Sequence, residues 1–218
     1  MRTTFLFFFL LTFTSLNAQS FFPRAFVLSG GNGATVTHFT LNDTAGYEST
    51  DEQGGFNYFL RGEFGLSRWL SYDFGIMLTP MITETLLDED ARCHMLELSP
   101  GLSYHVPWKN NWIDLEGGVG MNYARYLNID NDERLDAAGV GFSFDFHPRL
   151  YFTKKQRLGG LLYYRLNYYF MTADYFRNGI TKQDLYMQGN LQSFGLGLFY
   201  RFGKHIPENT GPGEPKQN

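Results

Sequence analysis

Residues 193–202 read "SFGLGLFYRF". From Phe194 every second residue is bulky and apolar (Phe194, Leu196, Leu198, Tyr200, Phe202), with Gly195, Gly197, Phe199 and Arg201 between them. A period of two marks a β-strand with two unlike faces. Two environments fit such a strand. Either the apolar face packs a core and Arg201 meets water, or the apolar face meets hydrocarbon and Arg201 turns into an enclosed interior.

The pattern recurs along the chain. Eight strand-like segments cover roughly 24–41, 56–66, 69–82, 92–106, 112–127, 138–151, 158–172 and 190–202. Short connections at 66–70, 106–111 and 152–157 alternate with long ones at roughly 42–55, 83–91, 128–137 and 173–189. The short turns centre on Arg68, Lys109 and Lys155, spaced 41 and 46 residues apart, as a repeated hairpin unit requires. No segment after the N-terminus has a 3.6-residue period. "GGNG" at 30–33 interrupts the first strand and leaves its register open; curvature or a bulge accounts for it, since no Gly-Lys-Ser/Thr follows to make a phosphate cradle.

Alternation alone fits a soluble, lipocalin-like barrel as well as a membrane one. Three features favour the membrane. The lysines fall in turns, loops or the tail, and the face opposite the apolar one carries Gly, Ser, Asp, Glu and Arg, as a narrow filled lumen would. Trp69, Trp108 and Trp112 all lie at the short turns, where an interfacial aromatic belt belongs. Short turns at one end and long loops at the other is the outer-membrane arrangement. The fold expected is all-β: an eight-stranded antiparallel up-and-down transmembrane β-barrel.

The first twenty residues, "MRTTFLFFFLLTFTSLNAQS", have a positive start at Arg2, an apolar run from Phe5 to Phe13 and a small residue, Ala18, before Gln19. That run is of signal-peptide type and too short to span a bilayer. The chain accordingly divides into a cleaved leader (1–18), a barrel (24–202) and a Pro/Gly-rich disordered tail (203–218) left in the periplasm. A single cysteine, Cys93, excludes an intramolecular disulfide. A net charge of −4 without a basic stripe argues against nucleic acid as a partner.

Over 24–202 the chain resembles the small eight-stranded outer-membrane barrels of the OmpX/OmpA-transmembrane type and the broad PorT-like barrel family. Gly197, Tyr200 and Phe202 match the polar-x-Gly-x-x-aromatic-x-aromatic assembly signal of such proteins, with Gly195 where a polar residue is expected and the chain continuing past Phe202. The resemblance implies a non-porin barrel of a Gram-negative cell envelope, with a structural or surface-interaction role and acidic extracellular loops displayed on a rigid scaffold. The partners it implies are outer-membrane lipid and lipopolysaccharide, the barrel-assembly machinery, and an unidentified protein at the loops or tail. A lipid-modifying enzyme and an accessory subunit of a secretion or assembly machine are the alternatives.

The candidate site residues form a luminal charge network: Arg61, Glu63, Asp73, Glu97, Asp114, Glu116, Asp145, Arg149, Arg165 and Arg201. Charges in so narrow an interior must pair, because isolated burial costs several kcal/mol each. Depth along the strands places Arg61, Glu97, Asp145 and Arg165 high and the other six near the periplasmic end, with Arg201 meeting carboxylates there. A structural network fits better than an ion path at eight strands.

No cofactor, metal or catalytic residue is expected. The five histidines lack metal spacing, and "NIDNDE" (128–133) has Glu133 where a calcium loop needs glycine. Cys93 and His94 should diverge as strand neighbours. "HFT" (38–40) has Thr40 in place of the serine of the His-x-Ser motif used by outer-membrane lipid A deacylases. The acidic long connections are expected to be solvated.

Overall fold

The computed structural model describes residues 25–43, 48–67, 69–81, 92–106, 112–130, 133–153, 156–177 and 180–203. The expected leader and all of the tail beyond Gly203 lie outside the described residues, as do Trp108 and the 83–91 connection.

Eight strands follow in order: β1 (Phe26–Asp43), β2 (Glu48–Gly65), β3 (Leu70–Pro80), β4 (Arg92–Val106), β5 (Ile113–Asp130), β6 (Glu133–Tyr151), β7 (Leu158–Arg177) and β8 (Ile180–Phe202). Each pairs antiparallel with the next, and β8 pairs with β1 to close the ring. The opening stretch is the end of this closing strand, with Phe194, Leu196 and Leu198 more than half exposed outside and Phe199 and Arg201 buried inside.

Three of the long connections expected from the sequence prove to be mostly strand. Residues 128–137 belong to β5 and β6, 173–189 to β7 and β8, and 42–55 largely to β1 and β2. Lys182, expected in a loop, sits in β8 opposite Tyr175. At 18–23 residues, the strands other than β3 and β4 far exceed the roughly 9–11 that a tilted strand needs to cross hydrocarbon.

The excess builds a second storey of opposite character. Near the short turns the outer face is apolar (Tyr72, Phe74, Ile76 on β3; Phe142, Phe144, Phe146 on β6) and the inner face polar. Towards the long-loop end both faces change over at one level. Outside, Val36 gives way to His38, Tyr123 to Arg125 and Phe194 to Gln192, with scattered apolar residues such as Phe176 and Tyr186 among them. Inside, polar side chains yield to a cluster that includes Phe39, Met77, Met95, Tyr126, Leu135, Met187 and Leu191.

"GGNG" introduces no bulge: β1 keeps unbroken register with β2 and β8. Its glycines answer to close approach. Gly31 and Gly33 stand opposite Gly197 and Gly195, and a Cβ on Gly33 would lie 2.0 Å from the Phe194 carbonyl oxygen. Two rings cross the bare seam from neighbouring strands. Phe59 of β2 lies over Gly31 and Gly197, and Tyr163 of β7 over Gly33 and Gly195. The rings meet edge to face, centroids 4.5 Å apart.

Candidate functional site

All ten charged residues singled out in the sequence are buried inside the barrel, each at 8% exposure or less. Strand alternation puts them there. Glu63 and Asp73 are register partners on β2 and β3, Asp114 and Arg149 on β5 and β6, and Asp145 and Arg165 on β6 and β7. Their heads gather into two groups.

The lower group centres on Arg61 and Arg149. Arg149 bridges Glu63 and Glu116, with Asp114 3.7 Å away, and its guanidinium lies over the Phe199 ring. Arg61 contacts Glu116, reaches Asp73 at 3.0 Å, and donates to Ser103 at 2.8 Å, while Ser103 donates to Asp73. Arg61 starts one inward step above Glu63 but folds its guanidinium down into this layer, so its function belongs to the lower group rather than the upper one expected from strand position. Long side chains move their charge away from the Cα, and depth read along a strand misses that.

The upper group is the triad Arg165, Asp145 and Glu97. Arg165 donates to Asp145 at 2.5 Å and to Glu97 at 2.6 Å. Glu97 also accepts from Ser99, Asn167 and Tyr169, filling the lone pairs a buried carboxylate must satisfy. Arg201 stands apart, at the short-turn mouth. It stacks over Tyr151 at 5.3 Å and donates to Gln156 at 3.4 Å, in the turn after β6. These aromatic and amide contacts hold it at the mouth, where the Asp114 carboxylate also acts on its charge.

Two histidines, not singled out as site residues, complete the lower layer. His105 places Nε2 2.8 Å from Glu63 and Nδ1 3.1 Å from Asp114, while Arg61 reaches His147 Nδ1 at 3.2 Å. The signal available in sequence was parity: His105 and His147 share the inward phase with Ser103 and Asp145. Among the described buried groups, six carboxylates face four guanidiniums and two imidazoles.

Two constellations invite a chemical reading. Ser71 Oγ lies 3.0 Å from His105 Nε2, and His105 Nδ1 faces Asp114, the order of a Ser-His-Asp triad. Here, however, Nε2 also faces Glu63. A ring held between two carboxylates needs a proton on each nitrogen, and an imidazolium cannot take the serine proton. Ser71 is fully buried as well. Glu63, His105 and Glu116 bring ligand atoms within 4.8 Å of one another, but Arg149 already spans both carboxylates and Arg61 holds Glu116, so the cationic place is taken.

The remaining sequence candidates scatter. Cys93 faces in and His94 out. His38 and Thr40 lie on the outer face, away from the luminal groups. Glu133 and Asp136, expected on a solvated loop, are ion-paired on strands, to Arg177 and to Arg125 and Arg134. Trp69 and Trp112 sit at the short-turn end. Gly197 packs at the glycine seam, while Tyr200 and Phe202 form an edge-to-face pair outside.

No family model and no curated protein matches the sequence. Solved structures do match in fold. Neisserial surface protein A superimposes at TM-score 0.53 with 10% identity, covering 82% of this chain and 99% of that one. The outer membrane protein OprG from Pseudomonas aeruginosa gives TM-score 0.56 with 14% identity, covering 86% of this chain and all of the other. With the closed eight-strand order and the apolar outer band, these likenesses show the chain to have the fold of the small outer-membrane β-barrels.

Proposed function

We propose that the protein sits in a bacterial outer membrane as a sealed, non-porin barrel with a structural or surface-interaction role. The short turns face the periplasm, and the upper storey lifts the opposite end of the barrel clear of the bilayer, with acids such as Glu133 and Asp136 on its strands. The observation that carries this reading is the filled interior. The ion layer has an apolar cluster above it, and a second one, Val27, Tyr151, Leu161, Tyr163 and Phe199, beside and below it. An eight-stranded barrel is just wide enough for side chains to fill it.

Lower strands of about ten residues with an apolar exterior match the hydrocarbon thickness. Rigid display of loops is then the activity the architecture supports. The test is purified protein in planar bilayers: no steady ohmic conductance is expected, and a stable open channel would overturn the proposal. A folded barrel should also run differently on gels before and after boiling of the outer-membrane fraction. Recovery from the soluble periplasm would defeat the membrane placement itself.

A further inference from the structure

The outer band is apolar, glycine or tyrosine at every described position except one. Asn32 of β1 faces outward, between Leu196 of β8 and Tyr58 of β2, three inward–outward repeats below His38, where polar residues resume on that strand. Its carboxamide makes no hydrogen bond to a described residue. In the proposed setting this amide lies in hydrocarbon, where an unsatisfied polar group costs several kcal/mol. Its outward neighbours on β1, Gly30 and Ala34, leave the strand low. The adjacent ridge on β2 (Phe56, Tyr58, Leu60) stands high, each residue more than half exposed. The result is a depression of about 310 Å³ lined by Asn32, Gly33, Phe56 and Tyr58.

We propose that this face binds a second copy of the chain, the Tyr58 ring of each copy entering the depression of the other and its hydroxyl donating to the Asn32 carboxamide. Three features select a second copy. Two barrels inserted in the same direction are related by a two-fold axis along the membrane normal, which keeps every residue at its own depth. Asn32 and Tyr58 are register partners on adjacent strands, so with strands tilted about 35–45° their Cα atoms differ in depth by only about 3 Å, which a tyrosine side chain spans. Hollow and ridge lie side by side, and a two-fold between them seats each ridge in the other hollow, as an isologous contact requires. The contact satisfies both polar groups inside hydrocarbon twice over. An acyl chain filling the depression would leave the amide as it stands unless it carried its own hydroxyl.

The test uses the full chain in lipid vesicles. Energy transfer between differently labelled wild-type copies should report a dimer that persists on dilution with lipid. Asn32→Leu and Tyr58→Phe each remove both copies of the bond, and each should lower the dimerisation constant about tenfold. Heat-modifiable gel mobility confirms that each variant is folded. Oxidising a mixture of the single variants Asn32→Cys and Tyr58→Cys should give a crosslinked dimer in greater yield than either variant alone. The proposal fails if wild type shows no transfer, if Asn32→Leu dimerises as wild type does, or if wild type stays monomeric while retaining a co-purified lipid that Asn32→Leu releases.

Discussion

The lower and upper storeys of this barrel are one continuous sheet built on opposite rules. Below, bulky apolar groups point out and ions point in; above, Met, Leu and aromatic groups point in, and His38, Arg125, Asp136 and Gln192 point out. The upper storey is a soluble barrel in miniature, held together by apolar burial. In the proposed membrane setting the lower one gains nothing from burying its exterior in hydrocarbon relative to a neighbour strand. Its interior holds by ion pairing and hydrogen bonding, which tolerate little loss, beside the smaller apolar cluster of Val27, Tyr151, Leu161, Tyr163 and Phe199. The two halves should consequently fail in different ways.

The largest effect is expected in the ion layer. Glu116→Ala leaves Arg61 and Arg149 short of a carboxylate they share, and should cost about 3–5 kcal/mol of unfolding free energy. Urea titration of the refolded protein in vesicles measures it, and a cost near zero would mean that the layer is not coupled. In the upper storey, Met187→Ala opens a hole in an apolar core and should cost about 2–5 kcal/mol in the same titration. A loss no greater than that of an exposed site would remove the core from the account.

Lysine placement sharpens the boundary between storeys. Phe144→Lys, in the outer band, should cost about 2–4 kcal/mol, whereas Gln188→Lys, outward on the upper storey, should stay within about 0.5 kcal/mol. Equal costs would put both positions in one environment. Smallest of all, Arg125→Ala removes the exposed pair with Asp136 and should leave the unfolding midpoint unchanged, because exposed ion pairs are screened by water.

The lower storey was legible in the sequence because its alternation is long and its two faces differ sharply. "SFGLGLFYRF" already had the right inside and outside. The upper storey was hidden because its outward positions carry the charges usually read as loop. Arg134 and Asp136 look solvated, and they are, but on a strand whose inward Leu135 and Ala137 are fully buried. The overlooked sign was a change of phase. In β6 the apolar residues are odd-numbered up to Ala137 and even-numbered from Val140, and β8 changes likewise between Leu191 and Phe194. A reversal of phase without a turn marks a strand leaving one solvent for another. The ion partners were less legible, because pairing depends on where long side chains end: Arg61 descends a layer, and His105 is fixed by carboxylates from two other strands.

The glycine seam bears on how the ring comes to be closed. β1 and β8 stand at opposite ends of the barrel sequence, so their union is the longest loop the chain must shut and the one that waits on all the hairpins. At Gly31, Gly33, Gly195 and Gly197 the two strands meet without side chains, and no rotamer has to be found as they zip. Phe59 and Tyr163 belong to β2 and β7, the strands that flank β1 and β8 on either side of the seam. When the last strand arrives, these rings close over it like a clasp. The final step of assembly is thereby the one with the least left to search.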